Sequence, residues 1–142
     1  MKKVAILLSG IFIVACSSQK NQKDSKHPLY EVLLQSDQDG ADIQFYEILS
    51  EANEITMLLG DPDLRKKINE DDIKTANFVI LNMGEKTSAG YSIGVDSVVE
   101  EADKIILTVK ENSPQKGAMT ASVMTYPFAI VKINSKKKIE IK

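Results

Sequence analysis

Phe78-Val79-Ile80-Leu81-Asn82-Met83-Gly84-Glu85-Lys86-Thr87-Ser88-Ala89-Gly90-Tyr91-Ser92-Ile93 is the stretch on which the fold turns. It opens with four consecutive apolar residues, suited to a buried strand. A loop with two glycines follows, and Tyr91, Ile93 and Val95 then alternate with smaller or polar neighbours, as in a strand with one buried face. Glycine tolerates positive φ, so Gly84 and Gly90 let the loop take a fixed, sharply turned shape. Lys86, Thr87 and Ser88 place donors at its tip. The residues alone leave two readings, an ordinary connecting hairpin or a loop that binds something.

Outward from this stretch the pattern is mostly β. Downstream, Ile105, Leu107 and Val109 alternate, Met119 to Thr125 is β-prone, Phe128 to Ile133 reads as a strand, and Ile139 and Ile141 alternate. Upstream, Tyr30 to Leu34 and Ile43 to Glu47 read as strands, with an Asp- and Gly-rich turn from Gln35 to Ala41 between them. Ser50 is placed to cap a helix with Glu51 and Glu54 in its first turn and Ile55, Leu58 and Leu59 on its apolar face, ending at Gly60. Asp61-Pro62 starts a helical turn through Lys67, since Pro suits the first helical position, and Asn69 to Lys74 reads as a charged loop. The expected fold is α+β: a small, mostly antiparallel β-sandwich or barrel, an immunoglobulin-like arrangement included, with one helix and a helical turn before the central strands.

The first 28 residues are of another kind. Lys2 and Lys3 precede an apolar run from Val4 to Ala15, which falls short of the roughly 20 residues that span a bilayer and reads as a cleaved signal peptide. Ile13-Val14-Ala15-Cys16 resembles the lipobox of bacterial lipoproteins, which implies lipid on Cys16 and a membrane anchor. Residues 16–28 hold many polar residues and, after Cys16, no hydrophobic one, so they read as a tether, and 29–142 as a single domain. Ser17, which is not an Asp-type retention signal, points to the outer membrane of a bacterial cell envelope.

Composition narrows the chemistry. Loss of Lys2 and Lys3 with the leader takes the formal charge from −2 to −4, which argues against nucleic acid. Cys16 is the only Cys, His27 the only His, and there is no Trp. The domain therefore lacks the residues for Cys nucleophiles, Ser-His-Asp triads and Cys/His zinc sites. Asp37-Gln38-Asp39-Gly40 is out of register with a calcium-binding EF-hand loop, which needs Gly sixth and Glu twelfth, and reads as a solvated hairpin turn. The clusters Glu70-Asp71-Asp72 and Glu100-Glu101-Ala102-Asp103 read as solvated loops. No cofactor, metal or catalytic residue is expected. Tyr126-Pro127-Phe128 stands out instead, because Pro is excluded from central strands. It is either an exposed aromatic knob of the kind that anchors interfaces or a set of core aromatics around an edge bulge.

Gly84, Thr87, Gly90 and Tyr91, the strand Ile105 to Val109, Glu111-Asn112-Ser113-Pro114, and Thr125, Pro127, Phe128 with Val131-Lys132-Ile133 together resemble the PrcB-type C-terminal domain family over about residues 76 to 134. That family is named for a lipoprotein subunit of a bacterial surface protease complex. The resemblance implies a non-enzymatic domain that tethers, stabilises or inhibits a secreted or surface protease, or binds another envelope protein. A looser similarity to chagasin-like peptidase inhibitors, which are immunoglobulin-like sandwiches with protease-binding loops, rests on Thr87-Ser88-Ala89-Gly90-Tyr91 and Tyr126-Pro127-Phe128. The expected contact edge is Gly84, Lys86, Thr87, Ser88, Gly90, Tyr91, Pro114, Lys116, Gly117, Tyr126, Pro127 and Phe128. The competing reading is a structural or glycan-binding envelope lipoprotein with no protease partner.

Overall fold

A computed structural model describes residues 28–142; the expected signal peptide, the lipidated Cys16 and the tether up to His27 lie outside the described residues. Among the described residues seven strands form two sheets. They are β1 (Tyr30–Ser36), β2 (Gln44–Leu49), β3 (Asn77–Met83), β4 (Ser92–Glu100), β5 (Lys104–Asn112), β6 (Phe128–Ile133) and β7 (Lys138–Ile141). Three short helices, α1 (Ala52–Leu58), α2 (Pro62–Arg65) and α3 (Glu70–Thr75), lie between β2 and β3. The first sheet has the order β1-β6-β3-β2 and is antiparallel throughout; the second has the order β4-β5-β7, with β5 and β7 parallel. Two separate sheets make this a sandwich and not a closed barrel.

The apolar run at Phe78 becomes intelligible from this order. β3 and β6 are the inner strands of the first sheet, and both faces of that sheet are covered. On one face Val79, Leu81, Met83, Ala129, Val131 and Ile133 meet Ile93, Ile105, Leu107 and Ile139 of the second sheet. On the other, Phe78, Phe128 and Ile130 pack with Leu33 and Leu49 against Ile55, Leu58, Leu64 and Ile68 of the helical region. A strand buried on both sides has no place for an alternating polar face. The molecule is thus three layers deep, helices on sheet on sheet.

The helices follow their caps. The N-cap of α1 is Glu51, one residue beyond the expected Ser50; the Glu54 carboxylate turns back to accept from both Ser50 and Glu51 N–H at 3.1 Å. Asp61 caps α2 as expected, accepting from Asp63 and Leu64 N–H at 2.8 and 3.1 Å, with Pro62 in the first turn. The expected charged loop at Asn69 to Lys74 is a helix, α3. Asn69 is its N-cap and donates its own N–H to Asp72 at 2.8 Å, and three acidic residues in the first turn complement the helix dipole. No helix among the described residues is long and apolar enough to cross a membrane.

Asp72 also corrects the reading of its cluster as solvated. Its side chain is only 14% exposed and lies 3.5 Å from Lys132 Nζ, which is itself almost buried on β6 and 3.4 Å from Glu31. Two carboxylates compensate the ammonium that the helical layer removes from water. A cleft of about 770 Å³ opens beside this triad, where Pro28 enters the fold, lined by Leu29, Glu31, Asp72, Thr75 and Asn134 among others.

Candidate partner-binding face

Register places three long connections at one end of the sandwich. Ser36 and Asn82 both pair with Phe128, Gln44 pairs with Met83, and Ser92 pairs with Asn112. Loops 37–43, 84–91 and 113–127 therefore leave and enter strands at the same pole, while Pro28 enters at the other, next to the Tyr30–Ile133 pair. None of the three closes a hairpin between paired strands. Loop 37–43, expected to be a hairpin turn, links the two outer strands of the first sheet and so crosses above β6 and β3. Loop 84–91, whose hairpin reading is likewise overturned, passes from one sheet to the other.

The crossing loops are bound to one another through backbone. Tyr126 N–H donates to Asp37 carbonyl at 2.7 Å, and its own carbonyl accepts from Gly40 N–H at 2.9 Å. Glu85 N–H donates to Asp42 carbonyl at 2.9 Å, and Lys86 and Thr125 exchange both backbone hydrogen bonds at 2.8 Å. Beneath them Asn82, 1% exposed at the end of β3, accepts from Ala41 N–H and donates to the Ala41 and Ile43 carbonyls. One side chain thereby fixes the descent of loop 37–43. Gly40 sits so close to this point that a Cβ would lie 2.4 Å from Tyr126 carbonyl oxygen and 2.5 Å from Asn82 Oδ1. Side chains also join the two sheets just below the loops: Gln35 Nε2 donates to Ile93 carbonyl at 2.7 Å on one flank, and Tyr46 and Gln44 both donate to Glu111 on the other, at 2.6 and 2.8 Å.

The expected contact residues are all at this pole, but not all reach its surface. Thr87, Gly90, Lys116 and Gly117 are exposed; Lys86, Ser88, Tyr91, Pro114 and Tyr126 are half-buried. Lys86 folds over the Tyr91 ring, its Nζ 5.7 Å from the centroid. Ser88 carbonyl accepts from the buried Thr125 hydroxyl at 3.0 Å. Gly84, Gly90 and Gly117 all have positive φ, and Gly90 faces Pro114 so closely that a Cβ would meet its ring at 2.9 Å. Gly84 is buried beneath Gln44 and Asp42.

The exposed knob at Tyr126-Pro127-Phe128 is corrected to the core alternative. Phe128 is 9% exposed and packs in the helical-side core, and Pro127 is buried with its carbonyl accepting from Met83 N–H at 2.9 Å. Pro is tolerated there because it lies one residue before β6, where no ladder N–H is required. Only Tyr126 keeps surface. Its hydroxyl donates to Glu85 at 3.1 Å, and that bond, followed by partial desolvation, raises its pKa above the tyrosine value. Tyr46 is raised too, chiefly by burial and then by its bond to Glu111. A raised folded pKa means that the Tyr126–Glu85 link is intact below the ordinary tyrosine range and is lost as pH rises through the raised value. Glu85→Gln should bring the Tyr126 titration back down, read from its ring protons by NMR; an unmoved midpoint would exclude Glu85 as the cause.

Residue patterns did not single out Asn82, Gly40 or Glu85 as parts of this face. Nor did they mark Met119, Val123 and Met124, which are 102%, 45% and 43% exposed. Met119 to Thr125, expected to be β, is an irregular segment in which only Thr125 pairs. Among the described residues no three His, Cys, Asp or Glu side chains converge as a metal ion would need.

The loops and inner strands just described run from β3 to β6, and comparison with known families falls on the same span. Residues 77–134 match the PrcB C-terminal family. The matched segment comprises β3 to β6 with loops 84–91 and 113–127, the span of the resemblance noted from the residues, while β1, β2, the helices and β7 lie outside it. An uncharacterized protein of Methanocaldococcus jannaschii, MJ1373, is 33% identical over 64 residues, which is 45% of this chain and 38% of that protein. The chain therefore matches well under half of that relative's length. No solved structure gives a significant match.

Proposed function

We propose that this chain is a lipid-anchored bacterial envelope protein whose PrcB-like domain is a non-enzymatic adaptor, gripping a protein partner with loops 37–43, 84–91 and 113–127. The partner class is a secreted or surface protease, which the domain holds near the membrane and stabilises or inhibits. The observation that carries the reading is the polarity of the fold: the loops interlock at one pole and the N-terminal segment enters at the other. Anchoring through Cys16 would then turn the loop face away from the lipid, where an extracytoplasmic partner is reached. The name of the PrcB family supports a protease complex as the setting, and the absence of His and Cys from residues 28–142 supports binding over catalysis.

Two measurements test this. Cys16→Ala should move the protein from the membrane to the soluble fraction of fractionated cells, since acyl chains supply the anchoring free energy at about 0.8 kcal/mol per buried methylene; retention in the membrane would remove the anchor. Affinity capture of the full chain from cells that co-express proteases encoded beside it should recover one of them with wild type and much less with a Thr87→Ala/Ser88→Ala double variant. Equal recovery with both would take loop 84–91 out of the contact.

A further inference from the structure

Gln115 to Met124 are exposed without a break, and the chain there is neither helix nor strand. Both ends of the run are fixed. Pro114 lies against Gly90, and Thr125 is buried and exchanges two backbone bonds with Lys86. Between them, among the described residues, Ala118 N–H donates to Gln115 carbonyl at 2.9 Å, and Ala121 carbonyl accepts from Val123 N–H at 3.1 Å and from Ala89 N–H at 3.0 Å. The first bond closes a turn around Lys116 and Gly117; the second bends the chain at Ser122. Met119 and Thr120 fall between the two bends. Their N–H groups have no backbone partner among the described residues, and the Met119 side chain stands in solvent at 102% exposure.

Folded domains are nicked where the chain is exposed, because a protease must draw out several residues on each side of the bond it cuts. Little burial and few backbone bonds oppose that opening here. The other exposed apolar side chains are better held. Val32, Tyr46 and Val99 lie within strands and Met57 within α1. Ile43 carbonyl is bonded to Asn82, and Met124 precedes Thr125, whose N–H is bonded to Lys86 carbonyl at 2.8 Å. We propose that Met119–Thr120 is a processing site, cut by an endopeptidase whose primary pocket takes a large apolar side chain. The oxygen of water joins the Met119 carbonyl carbon, the C–N bond to Thr120 breaks, and both water protons end on the Thr120 nitrogen, leaving a carboxylate and an ammonium. The product is one folded domain in two pieces. β6 and β7 go with the second piece, yet β6 is buried along its length between β1 and β3, and β7 pairs with β5, all strands of the first. What changes is the loop pole, where the turn at Lys116 and the Ala121 carbonyl that holds Ala89 are no longer joined by chain. The inference rests on the reading that the partner is a protease, and it names the bond that partner cuts.

The test is brief digestion of the full chain in detergent with a trace of chymotrypsin, which favours large apolar residues. Mass spectrometry should place the first cut between Met119 and Thr120, and the two pieces should co-elute in native size-exclusion chromatography and part only in denaturant. Met119→Asp should slow this cut about tenfold by losing the pocket contact. Its thermal midpoint should not move, because the position is exposed. Met124→Asp should be cut at Met119 as wild type is. A first cut elsewhere, an equal rate with Met119→Asp, or pieces that separate without denaturant would each overturn the proposal. The protease recovered by affinity capture should make the same cut. If chymotrypsin cuts there and no protease is captured, the site stands and the protease partner falls. If a captured protease leaves intact a bond that chymotrypsin cuts, the processing role falls and the adaptor reading stands.

Discussion

Replacing Phe78 with Ala should remove about 3–5 kcal/mol of stability, the range for deleting a buried aromatic ring. Phe78 is fully buried on β3, paired in register with Leu49 of β2 and Lys132 of β6. Its ring faces the helical layer and packs in one cluster with Ile55, Leu58, Leu64 and Phe128. Small domains have about 5–15 kcal/mol in all, so this one change takes a large share. It should also loosen α1 and α2 first, because their buried residues share that cluster. Urea unfolding followed by far-ultraviolet circular dichroism measures the loss, with Met57→Ala, at an exposed position of α1, expected within about 0.5 kcal/mol of wild type. A Phe78→Ala loss under about 1 kcal/mol would mean that the helices do not pack on β3 as described.

The second large effect should come from Asn82→Asp. The Asn82 amide gives two hydrogen bonds, to the Ala41 and Ile43 carbonyls, and takes one from Ala41 N–H. A carboxylate can keep only the last and turns its lone pairs on two carbonyl oxygens in a site that is 1% exposed. Leaving a buried group unpaired costs about 1–3 kcal/mol, and more when charge is involved, so a loss near 3 kcal/mol is expected at neutral pH. The introduced carboxyl should have a raised folded pKa, and by linkage part of the loss should be recovered as pH falls and the group regains a donor proton. Exchange of the Gly40 and Ala41 amides should accelerate well beyond that of β3, and partner capture should fall with it. Unchanged exchange at Ala41 would show that loop 37–43 is held by something other than Asn82.

What could be read from residues and what could not divides along physical lines. Phe78 to Leu81 announced a buried strand because a central strand has no solvated face to mark. Asp61-Pro62 announced α2 because a cap and a following Pro act locally. Asn69 with Glu70, Asp71 and Asp72 carried a similar local signal, but the charges concealed it: Asn69 was a cap, and the acids were complements to a dipole. Tyr126-Pro127-Phe128 could not be resolved from the residues. Whether Phe128 faces solvent or core depends on β6 lying between β1 and β3, and that order is set by one pairing about a hundred residues apart in sequence and another about fifty apart. The same holds for Gly40 and Asn82, which meet only because loop 37–43 spans two strands it does not belong to.

That order has a consequence for how the chain is made. β1 is an outer strand whose one ladder partner is β6, with Tyr30 opposite Ile133. β5 completes its second neighbour only when β7 arrives. Contacts closed over such long loops form late and slow folding. A newly synthesised chain has therefore no ladder partner to offer β1 until β6 exists. If the chain is exported as proposed above, a first strand obliged to wait for the sixth would act as a built-in delay.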